Sequence, residues 1–189
     1  MARISLTPRP SLSNRLFRWV SRHVNKAELD PVAAVAHNGR VMWSYGFFEL
    51  GLRGWRALDP QLKVLAVMGS AHRIGCSWCT DFGYWSAHAE GMPVELLEAV
   101  PRWRESDVFT PTQRRVLEFA ELVSGEVQDV PDGLVAHLRE ELGEPALVEL
   151  AMMVAVENQR SRFNSALGLT SQGFKAQCEL PARARSEVR

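Results

Sequence analysis

The sequence has no excess of charge of either sign. Lys and Arg number 22 and Asp and Glu number 22, for a formal net charge of zero. Without a field of one sign, nothing draws the chain to nucleic acid or to an anionic membrane surface, and a low net charge favours self-association. Cysteine is scarce: Cys76, Cys79 and Cys178 are the only three, which excludes a secreted disulfide scaffold. Long apolar runs are missing too. The most apolar stretch, ALVELAMMVAVEN over 146–158, contains Glu149 and falls short of the roughly 20 residues that a membrane helix needs. The first residues, MARISLTPRPSLSNRLFRWV, hold no apolar run of signal-peptide length. Internal repeats, low-complexity tracts and a glycine loop able to cradle phosphate are absent as well. These absences predict a protein of a reducing, cytoplasmic compartment, with no nucleic-acid and no membrane partner.

What is present suffices for a folded domain. Hydrophobic residues make up 46% of 189 positions and charged residues 23%, so a sizeable core can be buried. Apolar positions recur at helical spacing, breaks fall at Pro, Gly and Asp, and few segments alternate as strands do. Asp30-Pro31, Asp59-Pro60, Thr110-Pro111, Pro131-Asp132 and Glu144-Pro145 read as helix starts, because proline is tolerated in the first turn. Gly75 and Gly91 read as stops. The expected fold is all-α with about seven to nine helices. The expected organisation is an N-terminal arm and helix over 1–29, with residues 1–11 loose, a helical domain over 30–175, and a polar, frayed tail over 176–189.

The chemistry centres on GCSWCTDFG, residues 75–83. Cys76 and Cys79 are three apart, which on a helix puts them on one face, roughly 60° from each other. Behind the glycine break they lie at a helix start, where exposed N–H groups and the helix dipole favour a thiolate. That makes a workable dithiol. Two buried cysteines packing as small apolar groups are the alternative. A zinc site needs four ligands, and Cys178 and His72 do not complete the usual spacing, so no metal is expected. Haem attachment is excluded because Thr80 stands where CxxCH requires histidine.

GCSWCTDFGYWSAHAEGMP resembles the active-site helix of the carboxymuconolactone decarboxylase and alkyl hydroperoxidase D family. LDPQLKVLAVMGSAHRI, FTPTQRRVLEFAELVS and LVELAMMVAVENQRSRFNSALGL resemble the same family in the same order, covering about residues 30–172. The resemblance implies an alkyl hydroperoxidase D-like helical bundle that assembles as a homodimer, trimer or hexamer. It implies peroxiredoxin-type antioxidant chemistry on a small-molecule peroxide or other small substrate. Cys79 would be the attacking cysteine and Cys76 its disulfide-forming partner. No bound cofactor is expected; an external thiol or lipoyl-type reductant, or a dithiol reductant protein, would restore the pair. A family scaffold kept for redox sensing or small-molecule binding is the alternative function, and a lactone-acid decarboxylase the third.

The sequence departs from the peroxidase pattern at two places. Gly83 stands where the relay histidine would be, and Val64 stands at the relay glutamate. His72, Asp81 and Ser86 are the candidates for a substitute relay, each with a structural reading beside it. His88 points away from Cys79 on a straight helix. Trp78, Phe82, Gly83 and Trp85 are candidates to line a small-molecule pocket, or else to pack in the core or an interface. Tyr84 could offer its phenol to the site or simply pack. Glu149 is expected at an exposed edge or paired with an arginine. Arg160, Arg162 and Asn164 are expected in a polar network or in contacts between subunits.

Overall fold

The computed structural model describes residues 1–126 and 129–179. Among them are ten α-helices, one 3-10 segment and no strand. The fold is all-α. The chain divides into two compact units: Met1–Trp55 with Asn164–Leu169, and Arg56–Phe163 with the chain from Thr170 on. This division differs from the expected boundary at residue 29. The difference arises because α1 (Leu12–Asn25), α2 (Asp30–Val35) and α3 (Gly39–Leu52) pack on one another. The expected tail from 176 lies in part outside the described residues; its first four are the end of a helix, α10 (Phe174–Glu179).

In the first unit, the Ser11 hydroxyl caps α1 by accepting from the Asn14 N–H, and the Asn38 side chain caps α3 by accepting from Arg40 and Val41. Gly46 lets α3 approach α1, since a Cβ there would collide with the Phe17 ring. The expected loose arm is tied down instead. The Arg3 N–H donates to the Leu167 carbonyl at 2.7 Å, and the Ser5 carbonyl lies 2.7 Å from His37 Nε2. Backbone partners distant in sequence gave no local signal of this.

In the second unit, α4 (Pro60–Ile74) follows the Asp59 cap and packs on α7 (Pro111–Val123). Gly69 allows the close approach: a Cβ there would sit 3.1 Å from Leu117 Cδ2. α7 opens with a capping box in which Thr110 and Gln113 satisfy each other's backbone N–H. α5 (Ser77–Ala89), α6 (Val94–Ala99), the 3-10 segment (Val100–Glu105), α8 (Asp132–Leu142) and α9 (Glu144–Ala166) follow the chain around this pair. Leu65, Met68, Val116, Leu117, Leu138, Leu150 and Val154 form the centre of the core.

Glu149 departs from expectation. It is buried, and its partners are not arginine but Lys63 Nζ and the N–H groups of Ala57 and Leu58. Burial pushes its carboxyl up, but the Lys63 hydrogen bond, the two N–H donors and the Lys63 charge together hold it below the ordinary Glu range. A folded-state pKa held down adds stability above the unfolded pKa, lost as pH falls through the folded one. Glu149→Ala should therefore lower stability by about 2–4 kcal/mol near neutral pH. Denaturant midpoints across pH should show that deficit shrinking in acid.

Candidate active site: the Cys76–Cys79 bridge

A tight turn builds the site. Gly75 ends α4 in the left-handed region at φ +80°, where a side chain is strained although nothing lies within 4 Å of its would-be Cβ. The Gly75 and Cys76 N–H groups both donate to the Ala71 carbonyl at 3.0 Å. Cys76 thereby becomes the N-cap of α5, with extended backbone, and its Sγ accepts from the Cys79 N–H at 3.2 Å. The two cysteines are joined in a disulfide with Cα atoms 5.3 Å apart. Each residue is only 5% exposed.

The other donor comes from α9, 82 residues away. Ser161 Oγ lies 3.3 Å from Cys79 Sγ and 2.8 Å from Glu157 Oε1. Arg160 Nη1 lies 3.6 Å from Glu157 Oε2. Ser161 is 0% exposed and Glu157 2%. Neither was singled out from the sequence, although a signal exists: Leu150, Val154, Glu157 and Ser161 fall on one helical stripe and all are buried, so the two polar residues occupy core positions.

The sequence-derived candidates separate. Asp81, buried on α5, accepts from the N–H groups of Gln172, Phe174 and Lys175 at 2.7–3.0 Å. Burial pushes its carboxyl up, but those donors and the Ser171 hydroxyl hold it below the ordinary range. It fastens the start of α10, with Gln172 before it, to α5. Ser86 Oγ lies 3.4 Å from Oε1 of Glu90, the residue that follows α5. His72 is half-buried on α4; burial, with the Lys175 charge behind it, pushes its pKa down, so it is neutral at pH 7. Lys175 Nζ sits 4.5 Å above the ring of Tyr84. His88 stacks 6.4 Å from Tyr84. Arg162 bonds to Asn158, and Asn164 is buried. Trp78 and Phe82 stack at 5.0 Å, Trp85 adjoins Phe82, and Phe174 of α10 packs against Phe82 and Trp85. Trp78 Nε1 donates to Gln172 Oε1 at 2.8 Å. The space over Gly83 is taken by Met68, whose Sδ would lie 2.7 Å from a Cβ there. Val64 packs against the core. Among the described residues, no three His, Cys, Asp or Glu side chains are grouped to hold a metal ion.

The sequence model of the carboxymuconolactone decarboxylase family matches residues 39–122. The uncharacterized protein YnjA of Escherichia coli (strain K12) is 31% identical over 126 residues, which cover 67% of this chain and 68% of that protein. The chain belongs to the carboxymuconolactone decarboxylase family. Solved structures carry the same fold. The debrominase Bmp8, as a cysteine-to-alanine variant in complex with 2,3,4-tribromopyrrole, superposes with a TM-score of 0.80 at 16% identity, over 100% of this chain and 99% of that one. An uncharacterized peroxidase-related protein from Silicibacter sp. TM1040 superposes with a TM-score of 0.81 at 13% identity, over 92% and 94%. Among the described residues, no helix is long and apolar enough to cross a membrane.

Two outcomes follow from these contacts. Asp81→Asn weakens the acceptor for three N–H groups and should cost about 1–3 kcal/mol; amide exchange at Gln172, Phe174 and Lys175 should accelerate most. Installing the family histidine, Gly83→His, must displace Met68 from the core, and should cost about 1–3 kcal/mol in thermal or denaturant unfolding rather than improve function.

Proposed function

We propose that the protein is a thiol-dependent peroxidase that cycles Cys76 and Cys79 between dithiol and disulfide. The observation that supports this reading is the bridge at the start of α5, with the Cys79 N–H on the Cys76 sulfur and the Ser161 hydroxyl within hydrogen-bond distance of the Cys79 sulfur. Cys79 thiolate attacks a hydroperoxide oxygen, the O–O bond breaks, and the alkoxide leaves and is protonated to the alcohol. The Cys76 thiolate then attacks the Cys79 sulfenic acid, expelling hydroxide, which is released as water, and closing the disulfide. The N-cap position suits Cys76 to this resolving role, because the Cys79 N–H favours its thiolate. It also makes Cys76 the better leaving group when an external dithiol, such as a lipoyl-type reductant, attacks Cys79. The half-buried rings of Phe82 and Trp85 are the lining offered to an organic group on the peroxide. The cycle needs a reducing, cytoplasmic supply of thiol, and a homo-oligomer is the working form.

Peroxide added to the reduced protein should lower the intact mass by two hydrogen atoms, the two electrons going to the peroxide O–O bond. Cys76→Ser should abolish that loss and leave a sulfenic acid on Cys79 that a dimedone probe captures. Two thiols that stay reduced under peroxide would sink the proposal. Gly83 and Val64 favour a second reading, a redox-sensing or binding protein on the family scaffold; it gains if peroxide turnover with a dithiol reductant equals that of Cys79→Ser.

A further inference from the structure

Glycine and valine stand at 83 and 64, where the resemblance implies a relay pair; Met68 lies over Gly83, and the partly buried Val64 packs against the core. A different route reaches Cys79. Ser161 Oγ is within hydrogen-bond distance of both Cys79 Sγ and Glu157 Oε1, at 3.3 and 2.8 Å. A serine hydroxyl has one proton to give and lone pairs to accept another. With Glu157 ionised, that proton points to the carboxylate, and the serine can accept from the Cys79 thiol. With Glu157 protonated, the carboxylic acid donates to Ser161, and Ser161 donates to a Cys79 thiolate. The two arrangements differ only in where one proton sits.

We propose that Ser161 and Glu157 form the proton relay of Cys79, with Ser161 as the bridge and Glu157 as the store. The inference rests on Cys79 being a reacting thiol. In the reduced protein, the thiol proton passes to Ser161 Oγ as the serine proton passes to Glu157. This leaves a thiolate and a neutral carboxylic acid. After the thiolate takes oxygen from the hydroperoxide, the proton on Glu157 returns through Ser161 to the departing alkoxide. Glu157 is then ionised again, and no proton has had to cross from solvent. Burial of both residues keeps bulk water out of the exchange.

Several charged groups lie on the elements that carry this path. Arg160 Nη1 on α9 lies 3.6 Å from Glu157 Oε2. On α5, Asp81 is committed to the N–H groups of residues 172, 174 and 175. On α4, His72 is neutral at pH 7, and Lys175 of α10 lies over Tyr84. The relay as drawn uses two residues of α9, neither of them among the three candidates that the sequence suggested.

The test reads the Cys79 thiol directly. In reduced protein carrying Cys76→Ser and Cys178→Ser, Cys79 is the one cysteine. Its iodoacetamide alkylation rate is followed from about pH 5 to about pH 10. Glu157→Gln keeps the shape but cannot take a proton. It should move the inflection to higher pH and slow alkylation at neutral pH about tenfold, with the alkaline plateau kept. Ser161→Ala should do the same, and the double variant should lose little more, because the two act as one path. Profiles that overlay the parent, or a loss uniform across pH, would overturn the relay. If Glu157→Gln does not fold, Ser161→Ala decides alone. A shifted profile without peroxide turnover in the natural protein would refute the peroxidase reading and keep the relay; turnover with unshifted profiles would do the reverse.

Discussion

The hydrogen bond from the Cys76 N–H to the Ala71 carbonyl governs the site. It closes the end of α4 and makes Cys76 the first residue outside α5. Both effects need Gly75 at positive φ, since an L side chain there resists the turn. One short turn thus sets three things: the angle between two packed helices, the spacing of the sulfurs, and the direction of the Cys79 N–H toward Cys76. A substitution that relaxed the turn would disturb all three together. The dithiol is a property of a helix junction rather than of a loop, which gives it a rigid frame.

The second determinant is α9. Its inward stripe continues the core through Leu150 and Val154 and then turns polar at Glu157 and Ser161. A buried carboxylate is costly unless it is paired and hydrogen-bonded. Here Arg160 and Ser161 supply that compensation, and the result is a polar filament ending on a sulfur. Glu149, on the same helix, solves the problem with Lys63 and two backbone N–H groups. The two glutamates contrast: Glu149 is held by Lys63 and two backbone N–H donors, Glu157 by Arg160 and a rotatable hydroxyl.

Much of this was legible along the chain. Asp59-Pro60, Thr110-Pro111 and Gly75 mark helix ends because caps and positive φ are local requirements written in single residues. Cys76 and Cys79 were legible for the same reason, their spacing being a local property. What escaped was non-local. Ser161 meets Cys79 across 82 residues, and Met68 meets the space at Gly83 from the preceding helix. The tied-down arm and α10 likewise depend on partners far along the chain, Leu167 for the first and Asp81 for the second. Residue type showed glycine at 83 and valine at 64, while only packing showed that Met68 takes the space beside Gly83.

The burial of the bridge has a further meaning. Thiol exchange requires a nucleophile to approach along the sulfur–sulfur axis, so access limits its rate as much as driving force does. With both cysteines at 5% exposure, the bulk thiol pool meets the bridge slowly. In a pair that cycles as proposed, burial would select the oxidants and reductants by size and shape before any difference in potential did so.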